Sequence, residues 1–241
     1  GIKLRSLRID VPILVLGNLH TKQDLLICFN HNLMPTISSL SDCQICNDIG
    51  EKYGAKFPLH LKVDTGMSRL GFEYDQFISS FNQIKYFKNI LIKGIYSHLS
   101  SADEINALNP QSNTQLQRKK FQYLLKKINI EKENNITIHL SNSAGMLLGK
   151  DFHFDMVRVG LSMYGYEPLV KMDEKLFLKP ALFLKARVTF VRTIEKGIGV
   201  SYGNKFVSHR KTKLAVLSIG YADGIIRNLS GQISVIHNKK I

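Results

Sequence analysis

Apolar and polar side chains alternate over residues 59–64, with Leu59, Leu61 and Val63 on one side and His60, Lys62 and Asp64 on the other. A period of two predicts a strand. Apolar runs at 11–17, 33–38, 90–98, 136–140 and 156–159 predict further strands. Between them the period lengthens. Residues 42–53 read as a helix, and so do Tyr74, Phe77, Ile78, Phe81 and Ile84, and then Phe121, Leu124, Leu125 and Ile128. Residues 141–145 open a short one. Strand and helix in repeated alternation predict an α/β fold with a parallel sheet, most naturally a partial β/α barrel of about six of the eight strands. The rhythm stops near Tyr166. From about Leu176 onward, runs such as 182–194 and 214–220 alternate without helices between them, which predicts a partial antiparallel β domain. The expected division is residues 1–170 and 171–241.

The barrel frame gives the central strand a polarity. Its apolar set faces the surrounding helices, so Lys62 points inward, where an unpaired ammonium is costly. The strand then runs into a loop in which Arg69 stands between Gly66 and Gly71. Glycines let a backbone turn sharply and approach a ligand. An arginine on such a loop, at a strand's C-terminal end, suits an anion or a phenolate. A solvated arginine on an ordinary turn fits the same stretch. Other polar residues recur where strands give way to loops: His98, His139, Asn142, Ser143 and Arg158. In a barrel those ends share one face.

Composition narrows the partners. The formal net charge is +14, which raises nucleic acid as a ligand. The basic residues are scattered, however. The densest group, Arg118, Lys119 and Lys120 with Lys126 and Lys127, falls on one amphipathic helix and reads as a solvated face. No nucleic-acid-binding signature accompanies it. No apolar run is long enough to cross a membrane, and no secretory signal pattern opens the chain. The expectation is a cytoplasmic protein with neither nucleic acid nor membrane as partner. Cys43 and Cys46 form a Cys-x-x-Cys without a second pair or a histidine partner at zinc spacing, so they are expected to be packing residues, with no metal site.

The motifs resemble those of alanine racemase, a fold-type III pyridoxal-phosphate enzyme. They comprise Lys62-Val63-Asp64-Thr65-Gly66-Met67-Ser68-Arg69-Leu70-Gly71, Ser97-His98, Ala102-Asp103-Glu104, and His139 with Asn142-Ser143-Ala144. They continue in Arg158-Val159-Gly160-Leu161-Ser162-Met163-Tyr164-Gly165, Val200-Ser201-Tyr202-Gly203 and Ile219-Gly220-Tyr221-Ala222-Asp223-Gly224. The last two are much the more specific. The resemblance implies an isomerase that interconverts L- and D-alanine for peptidoglycan precursors, uses pyridoxal 5'-phosphate and works as a homodimer. It implies Tyr202 as a catalytic base offered to the partner subunit's site, with His98 as its hydrogen-bond neighbour. Arg158 would face the cofactor's pyridine nitrogen with His139 behind it. Asn142, Ser143, Gly160 and Leu161 would hold the cofactor, the last three at its phosphate. Arg69 would serve the phenolate and the substrate carboxylate, Lys62 would be the often carbamylated lysine that orients it, and Tyr221 would stand at the substrate entrance.

The pattern also departs from the family. No lysine of these 241 residues matches the Schiff-base lysine of the family's first strand, which is also its second base. Residues 1–9 resemble the segment after the second strand, and the C-terminal pattern is incomplete. The expectation is an internal piece of an alanine racemase, inactive alone. A non-catalytic remnant, one half of a split racemase, and a pyridoxal-phosphate carrier with a similar barrel are the alternatives.

Overall fold

The computed structural model describes residues 1–19, 21–130, 135–169 and 178–238. Contacts divide the chain into two units, 1–181 and 182–241. The first contains α1 (Ile2–Ser6), β1 (Ile13–Val15), α2 (Lys22–Asn30), β2 (Leu33–Ile37), α3 (Leu40–Tyr53) and β3 (Phe57–Lys62). It continues with α4 (Tyr74–Ile84), β4 (Ile90–Tyr96), α5 (Asn113–Lys127), β5 (Thr137–His139) and α6 (Ser143–Leu147).

The five strands pair in chain order, each parallel to the next. This is the partial barrel that the alternation predicts. The sixth strand position is present in reduced form. Met156 makes an isolated parallel bridge to His139. Asp155 donates its N–H to the Ile138 carbonyl and its carboxylate accepts the Ile138 N–H at 2.8 Å, and the Arg158 N–H reaches the Ser141 carbonyl. A side chain thus takes over a ladder bond, and the segment falls short of a regular strand.

The helices begin and end where local chemistry tells them to. The Thr21 and Asp24 side chains form a reciprocal capping box that starts α2. Ser39 caps α3, which stops at Gly54 in the left-handed conformation. Ser112 caps α5. Neither α1 nor α2 is evident from periodicity: α1 buries nothing, and α2 carries an unbroken apolar run, Leu25 to Phe29, in which no face stands out. The core lies between sheet and helices, with Phe57, Leu59, Leu61, Phe77, Phe121 and Ile95 fully enclosed. Cys43 and Cys46 are fully buried in it and unpaired, as packing residues should be. Burial, reinforced by Asp42, pushes the Cys43 thiol up to about 12.

The second unit holds β6 (Val188–Ile194) paired antiparallel with β9 (Thr212–Leu217), and β7 (Gly199–Val200) paired antiparallel with β8 (Phe206–Val207). The antiparallel expectation is met. The expected start of this part, at 171 and near Leu176, lies outside the described residues. No helix among the described residues is long and apolar enough to cross a membrane.

Phe57 is fully enclosed and packs edge-on against Phe29 of α2. Phe57→Ala should lower stability by about 3–5 kcal/mol, measured by urea unfolding. Tyr86→Ala, at a side chain 83% exposed, should stay within about 0.5 kcal/mol of the parent. Equal costs at the two positions would contradict the placement of the core.

Candidate active site at the strand ends

Arg158 is the centre of the site. One of its terminal nitrogens donates to His139 Nδ1 at 2.6 Å. The other donates to the carbonyls of Ser97 at 2.7 Å and Leu140 at 2.9 Å, and to His98 Nδ1 at 3.1 Å. The guanidinium carbon lies 4.9 Å from the centre of the Tyr96 ring. Tyr96 in turn stacks flat on His139, with centroids 4.5 Å apart and planes 8° from parallel. An arginine can only donate, so each histidine must present an unprotonated Nδ1 to it. Burial, with Arg158 as the next cause, lowers His98 to about 4 and His139 to about 2. Burial also lowers Arg158 itself, to about 10, which leaves it a cation at neutral pH.

The strand register explains why these groups meet. Lys62 of β3 pairs with Tyr96 of β4, and Tyr96 with His139 of β5. Partners in a parallel ladder share a face, so the three form one inward row. Lys62 is indeed interior, only 4% exposed, with its ammonium 5.6 Å from the Tyr96 ring centre. Burial is the first cause of its lowered pKa, followed by Arg69 and Arg158.

The Arg69 loop is closed by backbone bonds from Phe72 N–H to the Lys62 carbonyl and from Asp64 N–H to the Phe72 carbonyl. Gly71 has φ +130, and a Cβ there would press on the Asp64 and Val63 backbone. Asp64 Oδ1 accepts the Gly66 and Met67 N–H groups, each at 2.8 Å. Burial raises the Asp64 carboxyl, but the N–H groups of Gly66, Ser68, Met67 and Arg69 outweigh it and hold its pKa below the ordinary value.

Lys62, Arg69, His98 and Arg158 line one cavity of about 260 Å³ with Leu16, Gly17, Leu70 and Tyr96. Three cationic side chains face it, and no carboxylate is among the described residues that line it. The His98 loop is clamped by Gln117 of α5, whose Nε2 donates to the His98 carbonyl at 2.9 Å while its Oε1 accepts the Ser100 N–H at 2.9 Å.

A second constellation lies on the next loops. Ser143 Oγ accepts the N–H groups of Gly160 at 2.9 Å and Ser162 at 3.3 Å. Ser162 carries a buried hydroxyl with no partner among the described residues. A Cβ on Gly160 would meet nothing within 4 Å, so that backbone is open. Leu161, half exposed, begins the turn between them. Asn142 is engaged structurally: Oδ1 caps α6 through the Gly145 N–H, and Nδ2 donates to the Leu99 carbonyl.

Tyr202 and Tyr221 belong to the second unit and are exposed there. Tyr202 is flanked by Ser201 at φ 60, ψ −164 and Gly203 at φ 73. A serine in that region is strained by about 1–3 kcal/mol. Tyr96, His60 and Gln117 join the first-unit network without a motif to announce them. The inward register of β3 and β4 is the signal that exposes the first two.

Buried neutral histidines make stability depend on pH. The unfolded chain protonates its histidines near 6.5, while His60 is lowered to about 4 and His139 to about 2, burial being the first cause for each. Between those values the unfolded state holds more protons, so stability is full above about pH 6.5 and falls as pH drops toward 4. Urea unfolding at pH 7 and pH 5 should differ by a few kcal/mol, with the lower value at pH 5. A flat profile would mean that these rings are solvated or charged in the fold.

Comparison with known proteins identifies the family. Residues 1–168 match the profile described as alanine racemase, N-terminal domain, and residues 181–241 match alanine racemase, C-terminal domain. Alanine racemase of Prochlorococcus marinus is 44% identical over 240 residues, all of this chain but 62% of that protein. The crystal structure of the enzyme from a D-cycloserine-producing Streptomyces lavendulae superposes with a TM-score of 0.85 at 29% identity, over 99% of this chain and 63% of that one. The Bartonella henselae enzyme, solved with covalently bound pyridoxal phosphate, superposes with a TM-score of 0.78 at 30% identity, over 95% of this chain and 61% of that one. The chain thus spans a little over three-fifths of the length of these relatives, and over that span it belongs to the alanine racemase family.

Proposed function

We propose that this chain provides the cofactor-holding barrel face and one catalytic base of an enzyme that interconverts L- and D-alanine. The observation that carries the proposal is the electropositive cavity at the strand ends, lined by Lys62, Arg69 and Arg158 without a carboxylate. Such a cavity is built for anions. Pyridoxal phosphate brings a phenolate and a phosphate, and the substrate brings a carboxylate. The second constellation fits the phosphate: the Ser143 hydroxyl, the unpartnered Ser162 hydroxyl and the Leu161 N–H supply donors beside the open Gly160 backbone, whose own N–H holds Ser143 Oγ in place, with Asn142 bracing their support. When bound, the cofactor supplies an electron sink that acidifies the substrate's Cα–H.

The chain's own residues do the rest. Arg158 would present its cation to the ring nitrogen; a guanidinium holds its protons far more tightly than a pyridinium does, so it would leave that nitrogen unprotonated. His139 holds Arg158 from behind. Arg69 binds the phenolate and orients the substrate carboxylate. A carbamate on Lys62 would turn the buried ammonium into an anion that pairs with Arg69. His98 accepts from Arg158 at Nδ1, so its Nε2–H is left as a donor for a tyrosine hydroxyl, the role that Tyr202 of a neighbouring subunit would fill in a homodimer. A tyrosine has an ordinary pKa near 10. A donor backed by an arginine would stabilise its phenolate, so that it could take the Cα proton from one face while a second base returns one to the other, the two roles exchanging in the reverse direction. In a homodimer this tyrosine would serve the neighbouring subunit, with Tyr221 at the substrate entrance. The base for the opposite face, and the amine that holds the cofactor covalently, match no lysine of this chain. The product, D-alanine, would supply peptidoglycan precursors.

Titration with pyridoxal phosphate, followed by absorbance, should show saturable binding that Arg69→Ala weakens about tenfold or more, as loss of a charge-assisted bond of about 1.5–3 kcal/mol implies. Borohydride reduction and peptide mapping should find no single stoichiometric lysine adduct, and a coupled assay should detect no D-alanine. An adduct at one lysine together with turnover would show that a lysine of this chain serves as the anchor.

A further inference from the structure

We infer that His60 is a positioning residue that locks the tautomer of His139 and thereby fixes how Arg158 is presented to the cavity. The inference rests on the pyridoxal-phosphate reading only for its last step. His60 Nδ1 lies 3.0 Å from His139 Nε2, and both rings are buried. The protons along this line can be assigned from one end. Arg158 must donate, so His139 Nδ1 accepts at 2.6 Å. The single ring proton of neutral His139 then sits on Nε2 and is donated to His60 Nδ1. His60 carries its own proton on Nε2. Every ring in the line is neutral and has one defined tautomer.

The fold makes this contact deliberately. His60 is on β3 and His139 on β5, so the bond passes over β4. The residue of β4 in register with His60 is Gly94. A Cβ at Gly94 would collide with the His60 ring and press on the Thr137 carbonyl. The pairing of β3 with β4 also shifts register between Leu59 and His60, an irregularity of the kind that re-aims a side chain. Three local features therefore converge on one bond: a register shift that turns His60, a glycine that clears its path, and a histidine at the far end.

Stacking cannot do the same work. The Tyr96 ring fixes the plane of His139, but a flat contact is indifferent to a half-turn of the imidazole within that plane and to which nitrogen holds the proton. Only polar neighbours at opposite corners of the ring distinguish these states. Arg158 supplies one and His60 the other. Without His60, the buried Nε2–H has no acceptor, and the orientation that serves Arg158 loses its advantage over the flipped ring.

The test uses the full 241-residue chain with nitrogen-15-labelled histidine and long-range proton–nitrogen correlation spectra, with His139 assigned from the peak lost in His139→Gln. In the parent, His139 should show an acceptor-type Nδ1 and a protonated Nε2. His60→Asn, whose Oδ1 stands in for the accepting Nδ1, should keep that pattern. His60→Leu should lose it, giving averaged nitrogen signals. Pyridoxal-phosphate affinity should stay within about twofold in His60→Asn and fall about tenfold in His60→Leu, the usual cost of losing a group that orients a ligand-holding residue. A protonated Nδ1 on His139 in the parent would overturn the inference without recourse to any variant. So would an unchanged His139 pattern in His60→Leu, or a lost pattern with unchanged cofactor affinity. A parent that binds no pyridoxal phosphate would remove the cofactor reading instead, and the spectra would still decide the tautomer lock.

Discussion

A guanidinium that can only donate, set among groups that must accept, constrains everything around it. The charged end of Arg158 is buried by the same walls that form the site. Burying a charge in this way is costly unless its hydrogens are used. Here two carbonyls and two imidazole nitrogens take them, and the Tyr96 face covers the carbon. The carbonyls belong to Ser97 and Leu140, the residues that directly follow β4 and β5. The arginine therefore ties the ends of two adjacent strands to the segment where the third is reduced to a single bridge. The site and the strand termini hold one another in place, and a change at one is felt at the other.

The architecture was legible because strand alternation and helix periodicity are strong local signals, and the inward position of Lys62 followed from counting residues along β3. Arg69, His98, His139 and Arg158 were legible as polar residues at strand ends. Their convergence was a consequence of barrel topology, which places those ends on one face. The parts that were not legible depend on contacts across strands. Nothing in the run around Gly94 states that its missing side chain makes room for His60 two strands from His139. Tyr96 looks like an ordinary strand aromatic until register sets it between a lysine and a histidine. The helix α2 was hidden for a different reason: its apolar residues form a run, while its start is announced only by the Thr21–Asp24 cap.

The two units carry their residues by different means. Nearly all of the fully buried side chains lie in the first, where a sheet and its helices position groups by packing. In the second, Tyr202 owes its presentation to backbone conformation. A strained serine before it and a left-handed glycine after it force a turn that holds the ring out from the β7–β8 pair. Strain of this kind persists only where the surrounding chain over-determines it. The short pair of β7 with β8, and the Ser208 hydroxyl that accepts from Ile198 N–H, supply that constraint.

Charge gives the last step. Lys62 and Arg69 each contribute to the lowering of His98, and Arg69 and Arg158 to that of Lys62. Like charges gathered at one cavity raise the cost of the folded chain and reward whatever neutralises them. The fold accepts this arrangement because the cations are held by unrelated devices: Lys62 by strand register, Arg69 by a loop pinned through Asp64, Arg158 by its ring of acceptors. The backbones that carry Lys62 and Arg69 are fixed in this way, and the Arg158 guanidinium itself is held by its acceptors. An anion that entered the cavity would offset this repulsion, so part of the cost of gathering the cations would return as binding energy.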